Sequence, residues 1–323
     1  MNLDSLVVAL IGADDIQARE LAERLAEMGL PASSILAFGT KLGSLEVALE
    51  DDSADVLLPL EKDFLKSAGV WAAFTREAST RAKLAEWSSE LEATLIDLAP
   101  DASDSLKCFD PLVALGEGAG AVRRWIVPEP AALFLAHVLA AVDERVLKSV
   151  DCHLFTPASC AGEPGIHELY QQSLQLLNFK SIPTEVWGRQ LAFNLLPAPD
   201  LLASELFGAQ ARVLSGRSVD INCLAFQTPV FHGTTLSAII RVDDAEKVTA
   251  SLRSSISVGE TFKVWEEATW PSPLETAGLD HPVLGIKQLS DDVVWICLLY
   301  DNVKAGKGAM AGRTIKALAS TTS

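Results

Sequence analysis

The sequence holds few residues suited to covalent or acid-base chemistry: five cysteines (Cys108, Cys152, Cys160, Cys223 and Cys297) and five histidines. Cys160 stands in the loop-like run Thr156-Pro157-Ala158-Ser159-Cys160-Ala161-Gly162. It is either a reactive thiol or a small buried hydrophobe, the commoner role of a free cysteine. Cys108 follows Lys107 with no histidine at motif distance and is not a candidate. His232, in Phe231-His232-Gly233-Thr234-Thr235, could share a strand face with Thr234 by the period-two alternation of strands, or be a partly buried strand residue. No two cysteines have CxxC spacing, and their odd number and scatter argue against a disulfide framework and suit a reducing compartment. No metal site is expected.

These residues must be positioned by a fold whose organisation is visible in the hydropathy pattern. Leu6–Ile11 reads as a fully buried strand, followed by Gly12 and a helix with Ala18, Leu21, Leu25 and Met28 at helical spacing. Asp14 reads as the plain N-cap of that helix, and either Asp14 or Asp15 could occupy the donors at its start. Further strands are expected at Ile35–Phe38, Asp55–Leu60, Gly69–Phe74 and Ala93–Leu98, with helices such as Thr80–Glu92 between them. Strands alternating with helices imply a parallel sheet.

From about Ile126 the pattern changes. A long apolar helix, Ala131–Leu147, precedes strands at Cys223–Phe226, Leu236–Val242 and Val293–Leu299 that read as paired through tight turns, one at Ser290–Asp292. The last segment, Lys304–Leu318, has a helical pattern and is expected to pack back on the first domain. The expected domains are 1–125, 126–303 and a returning C-terminal helix at 304–323.

The bulk properties exclude several classes of function. With 49% hydrophobic and 21% charged residues the chain is an ordinary globular protein. The excess of 43 acidic over 26 basic residues, a net charge of −17, repels nucleic acid and anionic membrane surfaces. The longest apolar stretch, Ile126–Val142, is interrupted by Pro128, Glu129, Pro130 and His137 and is too short to span a bilayer. The N-terminus lacks the features of a secretory signal, so a cytoplasmic protein is expected.

Several stretches, in order along nearly the whole chain, resemble the aspartate-semialdehyde dehydrogenase family. They are Val8-Ala9-Leu10-Ile11-Gly12-Ala13, Thr94-Leu95-Ile96-Asp97, the loop Thr156–Gly162 followed by Gly165-Ile166-His167-Glu168-Leu169, the segment Ala192-Phe193-Asn194-Leu195-Leu196-Pro197, Pro229-Val230-Phe231-His232-Gly233, and Asp301-Asn302-Val303. The resemblance implies an α/β fold: an N-terminal Rossmann-type dinucleotide-binding domain and a C-terminal α+β dimerisation domain with a mixed or antiparallel sheet. It also implies NADP-dependent reduction of aspartyl phosphate through a thioester on a cysteine, and it implies that Ala192-Phe193-Asn194 is buried.

The positions that such chemistry requires are altered. The family's phosphate loop Gly-x-x-Gly-x-x-Gly lets the backbone approach a pyrophosphate, whereas here it reads Gly12-Ala13-Asp14-Asp15-Ile16-Gln17-Ala18. A carboxylate at Asp15 would oppose phosphate charge by about 4 kcal/mol at roughly 4 Å and an effective dielectric constant of about 20. Lys41 is the one candidate partner for a 2′-phosphate after the second strand, and a lone lysine is more often a solvated surface charge. Pro130 stands where the nucleophilic cysteine is expected, and proline suits the first turn of a helix without offering chemistry. Loss of a covalent nucleophile costs about 10⁶ in kcat in well-studied hydrolases.

Thr234 stands at the acid/base histidine position and Gln227 at the carboxylate-binding arginine, where a bidentate charged pair is lost. Glu205 matches an acid for the substrate amine, but Phe207 replaces the lysine two positions on. Ala305, Lys307 and Met310 stand at altered positions of the final segment, the last where a cofactor-binding asparagine is usual. Cys160 is where the family has a glycine, in a loop that contacts substrate and nicotinamide.

The chain is therefore expected to be a pseudoenzyme of the family, similar to its non-catalytic-looking Usg group. The expected assembly is a homodimer, or a heterodimer with an active paralogue, with no cofactor, NADP being the family's. Two alternatives remain: an NADP-dependent semialdehyde dehydrogenase of amino-acid biosynthesis, or an unrelated activity regrouping Cys160, His232 and Glu205.

Overall fold

The computed structural model describes residues 6–43, 46–50, 53–99, 104, 107–113, 122–198, 204–257, 261–266 and 269–320, with backbone alone at 46–50, 53–56, 204–205 and 256–257. The chain divides into two compact units, Met1–Pro128 with Gly306–Ser323, and Glu129–Ala305. The chain is an α/β protein built on one sheet in each unit.

In the first unit β1 (Val8–Ile11) leads into α1 (Ile16–Glu27). Then come β2 (Ile35–Leu42), β3 (Glu46–Glu50), β4 (Ser53–Leu60), α2 (Lys62–Leu65), β5 (Val70–Ala73), α3 (Ala78–Glu90), β6 (Thr94–Asp97) and β7 (Arg124–Ile126). The sheet order is β3-β4-β2-β1-β5-β6-β7, and every pairing is parallel except β3 with β4. Leaving out the antiparallel β3, the chain winds outward from β1 in both directions, as in dinucleotide-binding folds. β1, β5 and β6 are buried at every residue, which is why they read as unbroken apolar runs rather than alternating ones.

In the second unit α4 (Pro130–Ala140) is buried at nine of eleven positions. A helix apolar all round belongs inside a core. β8 (Leu147–Thr156), α5 (Gly162–Leu177), β9 (Leu196–Pro197), α6 (Ser204–Ser215), β10 (Asp220–Gln227) and β11 (Thr234–Val242) follow. α7 (Ala245–Ser257), β12 (Lys263–Val264), α8 (Pro273–Thr276), β13 (Val283–Ser290) and β14 (Val293–Tyr300) complete the unit. The mixed sheet has the order β12-β13-β14-β11-β8-β10-β9. Burial alternates along β8, β10 and β11, so one face carries the core and the other is half exposed.

Three expectations are corrected here. The helix expected over Ala131–Leu147 ends at Ala140. Asp143 accepts a hydrogen bond from the Arg145 N–H and restarts the chain as a 3-10 turn, while Arg217 donates to the carbonyls of Leu139, Ala140 and Val142. Cys223–Phe226 and Leu236–Val242 are not hairpin partners, because β8 lies between β10 and β11, parallel to the first and antiparallel to the second. Phe193, expected to be buried, is 69% exposed at φ +58°; of Ala192-Phe193-Asn194 only Ala192 is in the core. The turn at Ser290–Asp292 does join an antiparallel pair, β13 and β14.

The last helix, α9 (Lys307–Ser320), belongs to the first unit and lies on α1. Gly308 makes this approach possible, since a Cβ there would stand 2.1 Å from the Gln17 carbonyl oxygen. The Gly308 N–H donates to the Gln17 side-chain oxygen at 3.0 Å. Among the described residues, no helix is long and apolar enough to cross a membrane.

Candidate functional site

In the first unit the turn after β1 lies at the carboxyl end of the sheet, where strand order reverses between β2 and β5. That position is the usual ligand crevice of such sheets. Gly12 has φ +84°, and a Cβ on it would press on the Thr40 methyl at 3.3 Å and Phe74 at 3.4 Å. Glycine is required here by the backbone itself. The N–H groups of Gly12 and Ala13 both donate to the Phe38 carbonyl, at 3.0 and 3.1 Å.

The N-cap of α1 is Asp15 rather than the expected Asp14, which is exposed. The Asp15 carboxylate accepts from the Gln17 N–H at 2.8 Å, using one of the free donors at the helix start. Burial pushes the Asp15 carboxyl above its ordinary value, opposed by that hydrogen bond and by the charges of Arg76 and Lys307. Lys41 is exposed, Lys307 opens α9, and Met310 is buried in it.

In the second unit three loops are tied together around Asn302. Its side-chain oxygen accepts from the Gly233 N–H at 3.0 Å, and its amide donates to the Ser159 hydroxyl at 2.9 Å. The Ala158 and Ser159 N–H groups donate to the carbonyls of Val230 and Phe231, at 2.8 and 3.0 Å. Asp301, also buried, accepts from the N–H groups of Gly278, Val303 and Lys304 and so fixes the turn that presents Asn302. Ala305 continues that turn, donating its N–H to the Asp301 carbonyl at 2.9 Å, and is buried.

This bracing sets Cys160 and His232, and both differ from expectation. Cys160, in the 3-10 turn Ala158–Ala161, is exposed rather than a buried structural thiol. His232 is exposed in a bend before β11, neither a partly buried strand residue nor on the face of Thr234. Strand alternation fails between them because Gly233 has φ +94°.

Pro130 is the first residue of α4, as its fixed φ favours, and Glu129 before it makes no side-chain cap. The Glu129 N–H instead donates to the side-chain oxygen of Gln210, at 3.1 Å, from the buried face of α6. Thr234 pairs across the sheet with Tyr300, the last residue of β14. The Tyr300 ring packs edge-on against Phe134 of α4 with centroids 5.1 Å apart. Burial pushes this phenol well above its ordinary range, and the Cys160 sulfur beside it adds to the shift. The buried Thr234 hydroxyl borders the phenol without completing a hydrogen bond of its own.

Gln227, 2% exposed, is engaged by Thr156, and Phe207 is wholly within the core. Glu205 lies in the first turn of α6, with its side chain outside the described residues. Thr234 is thus paired with Tyr300, whose ring meets α4 at Phe134, whereas Gln227 is held at the Thr156 end of β10. Sequence reasoning missed Tyr300 and Gln210. Gln210 follows Phe207 by three residues on the buried face of a helix, which is a readable signal, but Tyr300 is masked as the end of an apolar run. Cys108 has its thiol pushed up to about 11 by burial, and none of the five cysteines is in a disulfide.

Comparison with known proteins agrees with this architecture. The model of the semialdehyde dehydrogenase dimerisation domain matches residues 139–304. A Pseudomonas aeruginosa protein described as a USG-1 protein homolog is 26% identical over 93% of this chain and 94% of its own length. The aspartate-semialdehyde dehydrogenase of Legionella pneumophila is 23% identical over 95% and 93%. Among solved structures, aspartate semialdehyde dehydrogenase II from Vibrio cholerae superposes with a TM-score of 0.79 at 18% identity, covering 97% of this chain and 98% of that one, a likeness of fold.

Proposed function

We propose, from the premise that the chain belongs to the semialdehyde dehydrogenase family, whose dimerisation domain it carries, that it is a non-catalytic member working as a folded, dimeric binding protein. The observation that carries this reading is the start of α4. Pro130 there has neither a nucleophile nor a titratable proton, and the neighbouring polar groups are a threonine and a buried, neutral phenol. Acyl transfer needs a nucleophile and a base within hydrogen-bond reach; Pro130 and Thr234 supply neither, and the exposed Cys160 thiol near Tyr300 lies on the turn Ala158–Ala161 rather than at the start of α4. At the position of a substrate-binding arginine, the Gln227 amide is turned into a pair with Thr156.

A dinucleotide does not suit the first turn of the first unit. Gly12 retains the required backbone, but the Asp15 carboxylate already accepts from the helix start and places negative charge there. No bound cofactor is therefore proposed, and no step is assigned to one.

The assembly proposed is a homodimer, with a heterodimer of this chain and an active relative as the alternative. Support comes from the half-exposed face of the second unit's sheet, where Phe155 and Phe226 stack at 5.5 Å beside His153, Leu224 and Ile239. The five free thiols support a reducing, cytoplasmic setting.

The test is titration with NADPH by calorimetry, together with an assay of aspartate semialdehyde oxidation with NADP and phosphate. The expected result is no micromolar binding and no turnover. Turnover above that of a heat-denatured sample overturns the reading in favour of an NADP-dependent dehydrogenase. A second reading, an unrelated activity at Cys160, is favoured by the exposure of that thiol and by the Ser159–Phe231 hydrogen bond that brings its loop to the segment of His232.

A further inference from the structure

We propose that Phe179 and Phe193 are preset anchors of the contact between two copies of this chain, and that the outward face of α5 belongs to that contact. The inference rests on the homodimer reading above and extends it beyond the open sheet face. Of the three non-glycine residues with positive φ among the described residues, two are these phenylalanines, at +54° and +58°. Phe179 is 99% exposed, and Phe193 largely so. A bulky side chain at positive φ is an outlier of backbone geometry, kept only where its surroundings dictate it.

Both positions are dictated here. The Phe179 N–H donates to the Leu176 carbonyl at 3.1 Å and the Lys180 N–H to the Gln175 carbonyl at 2.9 Å, closing α5 in the left-handed turn that ordinarily takes glycine. Phe193 follows Leu191 and Ala192, whose N–H groups donate to the side-chain oxygen of Gln172 at 2.7 and 3.0 Å. Gln172 lies on the buried face of α5, and its amide donates to the carbonyls of Pro183 and Arg189. Two apolar rings are thus turned into solvent against backbone preference. A ring so exposed stabilises its own chain little, so the strain is offset by a contact outside it.

Charge and continuity identify the partner as a second copy. Tyr170, Leu174 and Leu177 line the exposed side of α5 at helical spacing, and residues 169–179 hold no charged side chain. A chain of net charge −17 repels its own copy least at such a face, and the centre of an interface is depleted in charge and rich in aromatic residues. The matched dimerisation domain, residues 139–304, contains both phenylalanines. Leu195, also exposed, carries the surface from Phe193 into β9, where Pro197 pairs with Phe226 of the open sheet face.

The experiment is sedimentation velocity of the fluorescently labelled full-length chain over a dilution series, for the wild type, Phe179→Asn and Phe193→Asn. Asparagine tolerates positive φ, so each variant removes a ring and keeps the turn. The concentration at which the dimer dissociates is expected to rise by about tenfold or more in each, the scale of a truncated aromatic anchor, with circular dichroism unchanged. Phe179→Tyr, which keeps the ring, is expected to dissociate at the wild-type concentration. Folded asparagine variants that dissociate where the wild type does overturn the proposal. Should an asparagine variant not fold, Leu177→Gln decides by the same readout. A wild-type monomer defeats the homodimer reading itself, whereas a dimer that survives these changes but breaks at Ile239→Glu, on the open sheet face, defeats this inference alone.

Discussion

Gln227 and Thr156 hold each other in both directions across the parallel pair β10–β8: the Thr156 hydroxyl donates to the Gln227 side-chain oxygen at 3.0 Å, and the Gln227 amide donates to the Thr156 carbonyl at 3.0 Å. Thr156 has other partners, Phe226 for its hydroxyl and Thr228 for its carbonyl. Truncating the glutamine therefore strands nothing. Gln227→Ala should cost about 1–2 kcal/mol. Gln227→Arg, which buries a guanidinium in place of the amide, should cost about 3 kcal/mol or more. Urea unfolding of both variants checks the order, and an arginine variant as stable as the wild type would show that the position still accepts charge.

Asp15 yields a pH prediction. Its folded-state pKa is raised above the ordinary 3.8, so the native state holds this proton more tightly than the unfolded chain. Its stability contribution is greatest below that value and falls as pH rises through the folded pKa. Asp15→Asn keeps a capping oxygen for the Gln17 N–H without the charge. It should be more stable than the wild type at neutral pH, with the difference vanishing as the pH falls below the ordinary value. Asp15→Ala should lose about 1 kcal/mol through the missing cap. Thermal unfolding of the three proteins between acid and neutral pH measures this, and an Asp15→Asn advantage that grows toward acid would reverse the assignment.

The α1–α9 contact distinguishes two glycines of the same helix. Gly308→Ala drives a methyl into the Gln17 carbonyl and should cost about 1–3 kcal/mol. A methyl at Gly312 meets the Arg24 side chain at 3.4 Å, an ordinary contact with a flexible group. Gly312→Ala should therefore gain up to about 1 kcal/mol from helix propensity. Melting temperatures moving in opposite directions are the expected result.

Thiol reactivity should be confined at first to one residue. Cys160 is exposed, whereas burial pushes the Cys108 and Cys297 thiols up to about 11 and Cys152 and Cys223 are buried between strands. A chromogenic disulfide reagent at neutral pH should release about one equivalent quickly, and none quickly in Cys160→Ser, because the thiolate is the attacking species. A fast phase that survives in Cys160→Ser would assign the reactivity elsewhere.

The proposed dimer is tested on the open sheet face. Ile239→Glu places a charge directly across from Asp151, two residues from His153, on a face already half exposed in the single chain. Light scattering after gel filtration should show a dimer for the wild type and a monomer for Ile239→Glu, with circular dichroism unchanged. A wild-type monomer refutes the assembly directly.

The sequence made the first unit legible because its central strands are buried on both faces, so that Val8–Ile11 and Val70–Ala73 read as short apolar runs, the first with the amphipathic helix α1 after it. β3 escaped because Glu46 and Glu50 bracket its apolar residues and it lies at the sheet edge, where no second neighbour demands an apolar pattern. α4 was read too long because apolar residues continue past Ala140, while the signal that ends it is the single Asp143 cap together with a distant arginine, Arg217. At the candidate site the residue types at Pro130, Gln227 and Thr234 could be read, but exposure could not. One positive φ, at Gly233, separates His232 from the strand face of Thr234, and nothing in residue type distinguishes an exposed cysteine from a buried one. Tyr300 shows the same limit: in sequence it closes an apolar run, and its packing against Phe134 of α4 appears only in space.

The return of α9 to α1 makes the second unit an insertion within the first, since Glu129–Ala305 is translated between two parts of one folding body. A nascent chain that has delivered residues 1–128 to the ribosome exit still lacks the surface that covers Gln17, Leu21 and Arg24. The inserted unit, holding all its own strands and helices, can close first. Completion of the first unit then waits for Lys307–Ser320, and the exposed flank of α1 is the part of the newborn protein most in need of protection during that interval.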